Sequence, residues 1–204
     1  MTLVQGRRLS RCAGPVAIAL AVLWGTVAPA EAGHGKTVRT DVTVEVHRDG
    51  QSKARSALKL AQTFRDDVSA VNQAYAYAQC NDCRAVAAAF QVVLANRAPT
   101  NLAADNAAVA SNENCQRCET VAIAYQFVVV NPHRSQLTAA GHMRLARVRF
   151  DLLRLTRSGR PPAEITAEAE GLAAEVASIL TTELRTKPAI HRKVRTERTG
   201  PFRR

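Results

Sequence analysis

CNDCRAVAAAFQVVL (Cys80 to Leu94) is followed 35 residues later by CQRCETVAIAYQFVV (Cys115 to Val129). Both copies keep Cys-x-x-Cys and then Val, Ala, Ala, an aromatic residue, Gln and Val at matching places. The match extends upstream with a slip of one residue, from Asn72-Gln-Ala-Tyr-Ala-Tyr-Ala and from Asn106-Ala-Ala-Val-Ala. Two copies mark a duplicated unit, with repeats at 72–95 and 106–130, whereas a solenoid generally needs three or more. Period two fits each copy: Val86, Ala88, Phe90, Val92 and Leu94 share one face, as do Val121, Ile123, Tyr125, Phe127 and Val129. The β-branched and aromatic residues of 121–130 favour strands over helices begun at the second Cys. Each Cys-x-x-Cys then reads as the turn of a hairpin, and Asn81-Asp82 suits a tight turn.

Outward from the repeat, Val42, Val44 and Val46 alternate and Asp49-Gly50 marks a turn. Residues 54–71 fit a strand or a helix equally and stay open. After Asn131-Pro132 the period becomes helical, with stripes Leu145, Val148, Leu152, Leu155 and Ile165, Ala169, Leu172, Val176, Ile179. Ser158-Gly159-Arg160-Pro161-Pro162 separates them. The first stripe lies on an Arg-rich helix and the second on a Glu-rich one, which suits an antiparallel pair. The expected fold class is therefore α+β: a small antiparallel sheet built from the duplicated Cys-x-x-Cys hairpin unit and covered by a C-terminal antiparallel helical hairpin. Its single domain spans 41–184, after a flexible N-terminus at 33–40.

The chain has 204 residues, five Cys, 47% hydrophobic residues but only 4% aromatic ones, and a net charge of +11. Arg7, Arg8 and Arg11 precede an apolar run from Ala13 to Ala28 that closes on Ala30-Glu31-Ala32, the pattern of a secretory signal over residues 1–32. Cys12 and Trp24 leave with it. Four Cys remain, an even number in an oxidising compartment. Basicity is concentrated at the end: 185–204 hold eight basic residues and one acid, with too little apolar content to fold. Arg192, Lys193, Arg195, Arg198, Arg203 and Arg204 form a disordered basic tail suited to retention at an anionic surface. The expected partners are an anionic cell-wall polymer or lipid headgroups, together with a membrane protein. Nucleic acid is not expected, since export removes it and basic residues do not interleave with aromatics.

The runs from Asn72 to Cys83 and from Asn106 to Cys118, each followed by its Val-Ala-x-Ala-aromatic-Gln strand, resemble a group of exported bacterial proteins with tandem Cys-x-x-Cys repeats. The resemblance covers roughly residues 41–157. Similar segments occur in the extracytoplasmic part of membrane zinc metalloproteases. It implies an exported module and no reaction. This chain lacks His-Glu-x-x-His, so a protease activity does not travel with the module.

Cys80, Cys83, Cys115 and Cys118 carry three readings. Disulfides allow three connectivities, with one bridge per repeat slightly preferred over cross-pairing. A tetrahedral site of all four thiolates would take zinc as its cofactor, since paired Cys-x-x-Cys turns are how zinc ribbons present their ligands. A thiol-disulfide oxidoreductase would need a lowered thiol pKa; Arg117 helps the second motif only, and Asp82 opposes the first. Other catalytic signatures are absent: no Gly-x-Ser-x-Gly, phosphate loop or dinucleotide fingerprint occurs, and the five His are scattered. Gln91 and Gln126, within apolar runs, either bond across the repeats or face solvent. The expected function is a secreted, non-enzymatic structural or binding module stabilised by disulfides.

Overall fold

The computed structural model describes residues 35–186 and 197–199. Six strands come first: β1 (Lys36–Val46), β2 (Ser52–Thr63), β3 (Asp67–Ala78), β4 (Arg84–Asn96), β5 (Asn101–Asn112) and β6 (Glu119–Asn131). Helices α1 (Ala139–Thr156) and α2 (Pro162–Thr182) and a short β7 (Glu197–Thr199) follow. Among the first six strands, neighbours in sequence do not pair. Instead β1, β3 and β5 form one sheet, and β2, β4 and β6 form a second with β7 at its edge. All pairings among the first six strands are parallel, whereas β7 runs antiparallel to β6. The chain thus winds through three flattened coils, crossing from sheet to sheet at every turn.

This overturns the expected antiparallel sheet of Cys-x-x-Cys hairpins. Each Cys-x-x-Cys turn joins a strand of one sheet to a strand of the other, and the duplicated units stack as parallel neighbours. Alternation and a turn signal are common to both arrangements. The feature that separates them is burial on both faces, typical of parallel strands: β4 is buried at every position after Arg84. The segment left open at 54–71 is strand on both sides of the turn at Phe64–Asp66. β1 begins at Lys36, within the stretch expected to be flexible, because Val38 and Thr40 point inward.

Paired positions are 32 residues apart between the first and second coils, and 34 or 35 between the second and third. The one-residue slip in the repeat is the difference between those last two numbers. Asn72 faces Asn106 and Arg84 faces Glu119, so the turn after β5 holds one residue more than the turn after β3. Asn114, at φ 45°, lies in that longer turn.

Between the sheets the space is narrow and lined by small side chains: Ala74, Ala76 and Ala78 face Ala85, Ala87 and Ala89, with Val42, Val44 and Val46 completing the layer. Four amides cross it. Gln126 Nε2 donates to Gln91 Oε1 (2.9 Å) and to the Ala70 carbonyl (3.0 Å) of the other sheet. Gln91 Nε2 donates to the Val71 carbonyl (2.9 Å), and Asn72 Nδ2 donates to Asn106 Oδ1 (2.8 Å) and the Ala89 carbonyl (3.0 Å). Gln91 and Gln126 therefore bond across the repeats, and each such buried bond contributes about 1 kcal/mol while fixing the register between coils.

The other face of the second sheet presents the expected stripe, Val86, Phe90, Val92 and Leu94 beside Val121, Ile123, Tyr125 and Phe127, to the two helices. Leu145, Val148, Leu152, Ile165, Val176 and Ile179 close over it, and Phe90 meets Tyr125 edge to face at 5.1 Å. Full burial of each large side chain contributes about 1.5–3 kcal/mol, so this layer dominates stability. Thr138 caps α1 by accepting from the Gly141 N–H (3.0 Å). Gly141 is required by close approach, since a Cβ there would lie 2.7 Å from Glu183 Cβ. Pro162 opens α2, where its missing N–H costs nothing. Arg144 joins the helices by donating to Glu175 (2.8 Å) and Glu183 (3.4 Å), partly exposed pairs that add little beside the packing.

Candidate functional site

Three turns stack at one end of the coils: 47–51 between β1 and β2, 79–83 between β3 and β4, and 113–118 between β5 and β6. Backbone bonds continue the parallel ladder through them. Gly50 N–H donates to the Asn81 carbonyl (2.9 Å), Asp82 N–H to the Gln116 carbonyl (2.9 Å) and Glu119 N–H to the Cys83 carbonyl (2.8 Å). Side chains of one turn also cap the next: Asp49 Oδ1 accepts from Asn81 N–H (2.8 Å), and Asn81 Oδ1 accepts from Gln116 N–H (3.1 Å). Each turn contains a residue in the left-handed region, Gly50 at φ 69°, Asp82 at 54° and Arg117 at 55°.

The second and third turns are each closed by a disulfide, Cys80–Cys83 and Cys115–Cys118, with Cα separations of 5.9 and 6.0 Å. These separations fall in the ordinary range for bridged cysteines. One bridge per repeat is thus the observed connectivity, in place of cross-pairing. Cys80 and Cys83 are buried, while Cys115 and Cys118 are half-buried on the last coil. The Cys80 carbonyl oxygen lies 2.6 Å from both Sγ atoms of the second bridge, so the two bridges sit directly one on the other. Among the described residues, no three His, Cys, Asp or Glu side chains are grouped to hold a metal ion.

The electrostatics around the bridges are internally matched. Arg117 Nη2 donates to Asp82 Oδ2 (2.6 Å), which holds the Asp82 carboxyl below its usual range and raises Arg117 above its own. The cation expected to favour a thiolate at the second motif is therefore engaged by the anion of the first. Neither motif lies at a helix start; both run directly into strands.

Of the tail residues singled out, Arg198 lies in β7 opposite Ile123. Arg192, Lys193, Arg195, Arg203 and Arg204 lie outside the described residues, as does the expected signal at 1–32. Among the described residues, no helix is long and apolar enough to cross a membrane.

Sequence reasoning missed the outer face of the first sheet, which the helices leave open. There Tyr75 and Tyr77 stand side by side with rings 6.2 Å apart, and His47 tilts against Tyr77 at 5.7 Å. Tyr77 Oη donates to Glu113 Oε2 (2.6 Å), and this bond is the main cause that pushes the phenol up to about 12. No sequence signal marked this pair, since the partner of Tyr77 in the β3–β5 register is Ser111 and Glu113 lies in the turn two residues further on.

Compared with family models, curated proteins and solved structures, the chain matches none of them.

Proposed function

We propose that this chain is a secreted, non-enzymatic structural or binding module of the exported Cys-x-x-Cys group, stabilised by its two disulfides and retained at an anionic surface by its basic tail. The observation that carries this reading is the stacking of the bridges within the turn ladder. Cys80 and Cys83 are sealed under the next turn, and both sulfur pairs contact main-chain carbonyls of the preceding coil. Sulfurs so placed serve as staples, and staples of this kind belong to oxidising compartments. The uncovered face of the first sheet supplies the surface a binding module needs.

The half-buried Cys115–Cys118 bridge favours a second reading, a thiol-disulfide oxidoreductase working through that pair alone. Against it stand the paired Arg117 and the lack of a helix N-terminus to lower a thiol pKa. A binding protein stabilised by zinc on the four thiolates is the third outcome of the same experiment.

The native mass of the exported protein, taken before and after reduction and thiol labelling, separates the three. A chain starting at Gly33 with four thiols labelled only after reduction supports the module. Rapid labelling of Cys115 and Cys118 under mild reductant, with turnover of a disulfide substrate, replaces it by the oxidoreductase. Four thiols with the added mass of one zinc ion replace it by the metal protein. Retention on phosphatidylglycerol vesicles that weakens with salt, and is lost when Arg192, Lys193, Arg195, Arg203 and Arg204 are all changed to Gln, supports the role of the tail.

A further inference from the structure

The opposite end of the coils gathers cations. The β2–β3 turn contributes Phe64 and Arg65, the β4–β5 turn contributes Arg97, and Lys36 begins β1. With Gln62 and Thr63 they line an open cleft of about 450 Å³. Arg134, in the loop after β6, holds its guanidinium 5.7 Å from the centre of the Phe64 ring. The ion pairs found among the described residues involve none of these four cations. Of the two acids that follow Arg65, Asp66 in the turn is exposed and Asp67, which opens β3, is engaged by Asn101 Nδ2 (2.6 Å).

Like charges repel, so their proximity must be held by something else. Here it is a buried clamp: Ser135 N–H and Oγ donate to Asn96 Oδ1 at 2.9 and 2.6 Å, with both residues fully buried. The clamp ties the turn carrying Arg97 to the loop carrying Arg134. Arg97 itself sits at φ 74° and Ala98 at φ 47°, consecutive non-glycine residues in the left-handed region, each costing about 1–2 kcal/mol. Backbone strain maintained beside charge that no ion pair among the described residues neutralises is a mark of a site shaped for a ligand.

We propose that this cleft binds the phosphate groups of a soluble or wall-borne polyanion, independently of the basic tail. Guanidinium forks match phosphate oxygens two at a time, and Lys36 adds a point charge. Among the described residues Phe64 is the one apolar side chain lining the cleft, which leaves little to enter a bilayer and argues for a polymer over a lipid surface.

The test is titration of the full exported chain with inorganic tripolyphosphate at low salt, followed by calorimetry and by amide chemical shifts. Saturable binding with shifts at Phe64–Arg65 and Arg97–Ala98 is expected. In the chain carrying the five tail substitutions, which removes the tail's own attraction for the anion, Arg65→Gln with Arg97→Gln should weaken the remaining binding at least tenfold. Arg97→Gly removes the cation yet suits the positive φ, so a folded R97G protein that loses affinity rules out unfolding as the cause. Unchanged affinity in R65Q/R97Q or in R97G, or shifts confined to the tail, overturns the proposal. Vesicle retention that depends on the tail and not on Arg65 and Arg97 fits the polymer assignment. Vesicle retention lost in R65Q/R97Q, with no tripolyphosphate binding by the parent, overturns it and leaves the tail reading to stand or fall on its own substitutions.

Discussion

The first of the three stacked turns and the two that follow it reach one backbone shape by different chemistry. Gly50 adopts φ 69° without a Cβ to oppose it, and its turn has no bridge. Asp82 and Arg117 adopt φ 54° and 55° against a steric cost of about 1–2 kcal/mol, and each lies inside a four-residue disulfide loop. Loop-closure entropy assigns such a loop about 2 kcal/mol of stabilisation, comparable to that cost. The cysteines thus hold a conformation that glycine takes freely, and so release the turn position for side chains. The side chains placed there, Asp82 and Arg117, pair with each other across coils.

The coils differ in their surroundings as well. β4 in the middle coil is buried on both faces, whereas β2 is an edge strand whose Leu58 and Leu60 are half-buried. Lys53 and Lys59 guard that edge by donating to the Glu45 and Arg39 carbonyls of β1 (3.1 and 2.9 Å). The largest expected effect follows from this contrast. Phe90→Ala should lower the free energy of unfolding by about 3–5 kcal/mol, and Leu58→Ala by about half as much, read from denaturant midpoints. Equal losses would break the distinction between inner and edge coils.

Next in size is the bridge itself. Replacing Cys80 and Cys83, or Cys115 and Cys118, by Ser should cost about 2 kcal/mol per pair. Adding Asp82→Gly or Arg117→Gly to the corresponding bridgeless chain should recover about 1 kcal/mol, a rescue measurable as a double-mutant cycle. A glycine that recovers nothing would separate the bridge from the turn conformation.

The smallest effect concerns Tyr77 and Glu113, a tie between the second and third coils that uses no sulfur. With its folded value raised to about 12, Tyr77 contributes stability that is fully present below its ordinary value near 10 and is lost as pH rises towards 12. Ultraviolet titration of the tyrosinates should show the Tyr77 phenol ionising late, and Glu113→Gln should move it back down. No shift on that substitution would assign the effect to burial instead.

The inward and outward faces of the strands were legible because alternation reports them directly. Phe90, Tyr125 and the helical stripes all lie where period two and period 3.6 put them. Which strands pair, and in which direction, was not legible, because a hairpin and an arch between sheets share the same alternation and the same turn residues. The decisive clue was Ala at 85, 87 and 89 opposite the large stripe. A face that small reads as weakly buried in isolation, yet it lines a narrow interior against Ala74, Ala76 and Ala78. The first coil does not announce itself as a third copy because its turn has Gly50 in place of a bridge. Of the candidate site, the pairing of the cysteines within each motif was readable only as a preference. The cation cleft was invisible, since Lys36, Arg65, Arg97 and Arg134 converge only once the coils are wound.

The two-way winding of the strands also sets a timetable. Every partner among the six parallel strands lies 32 to 35 residues away along the chain, so no strand can find its neighbour until an intervening strand has been laid down in the opposite sheet. Such topologies assemble on the scale of milliseconds to seconds. The two four-residue bridges are the exception. They close within a span that even an unfolded segment samples quickly, which makes them the first fixed points from which each later coil can be measured off.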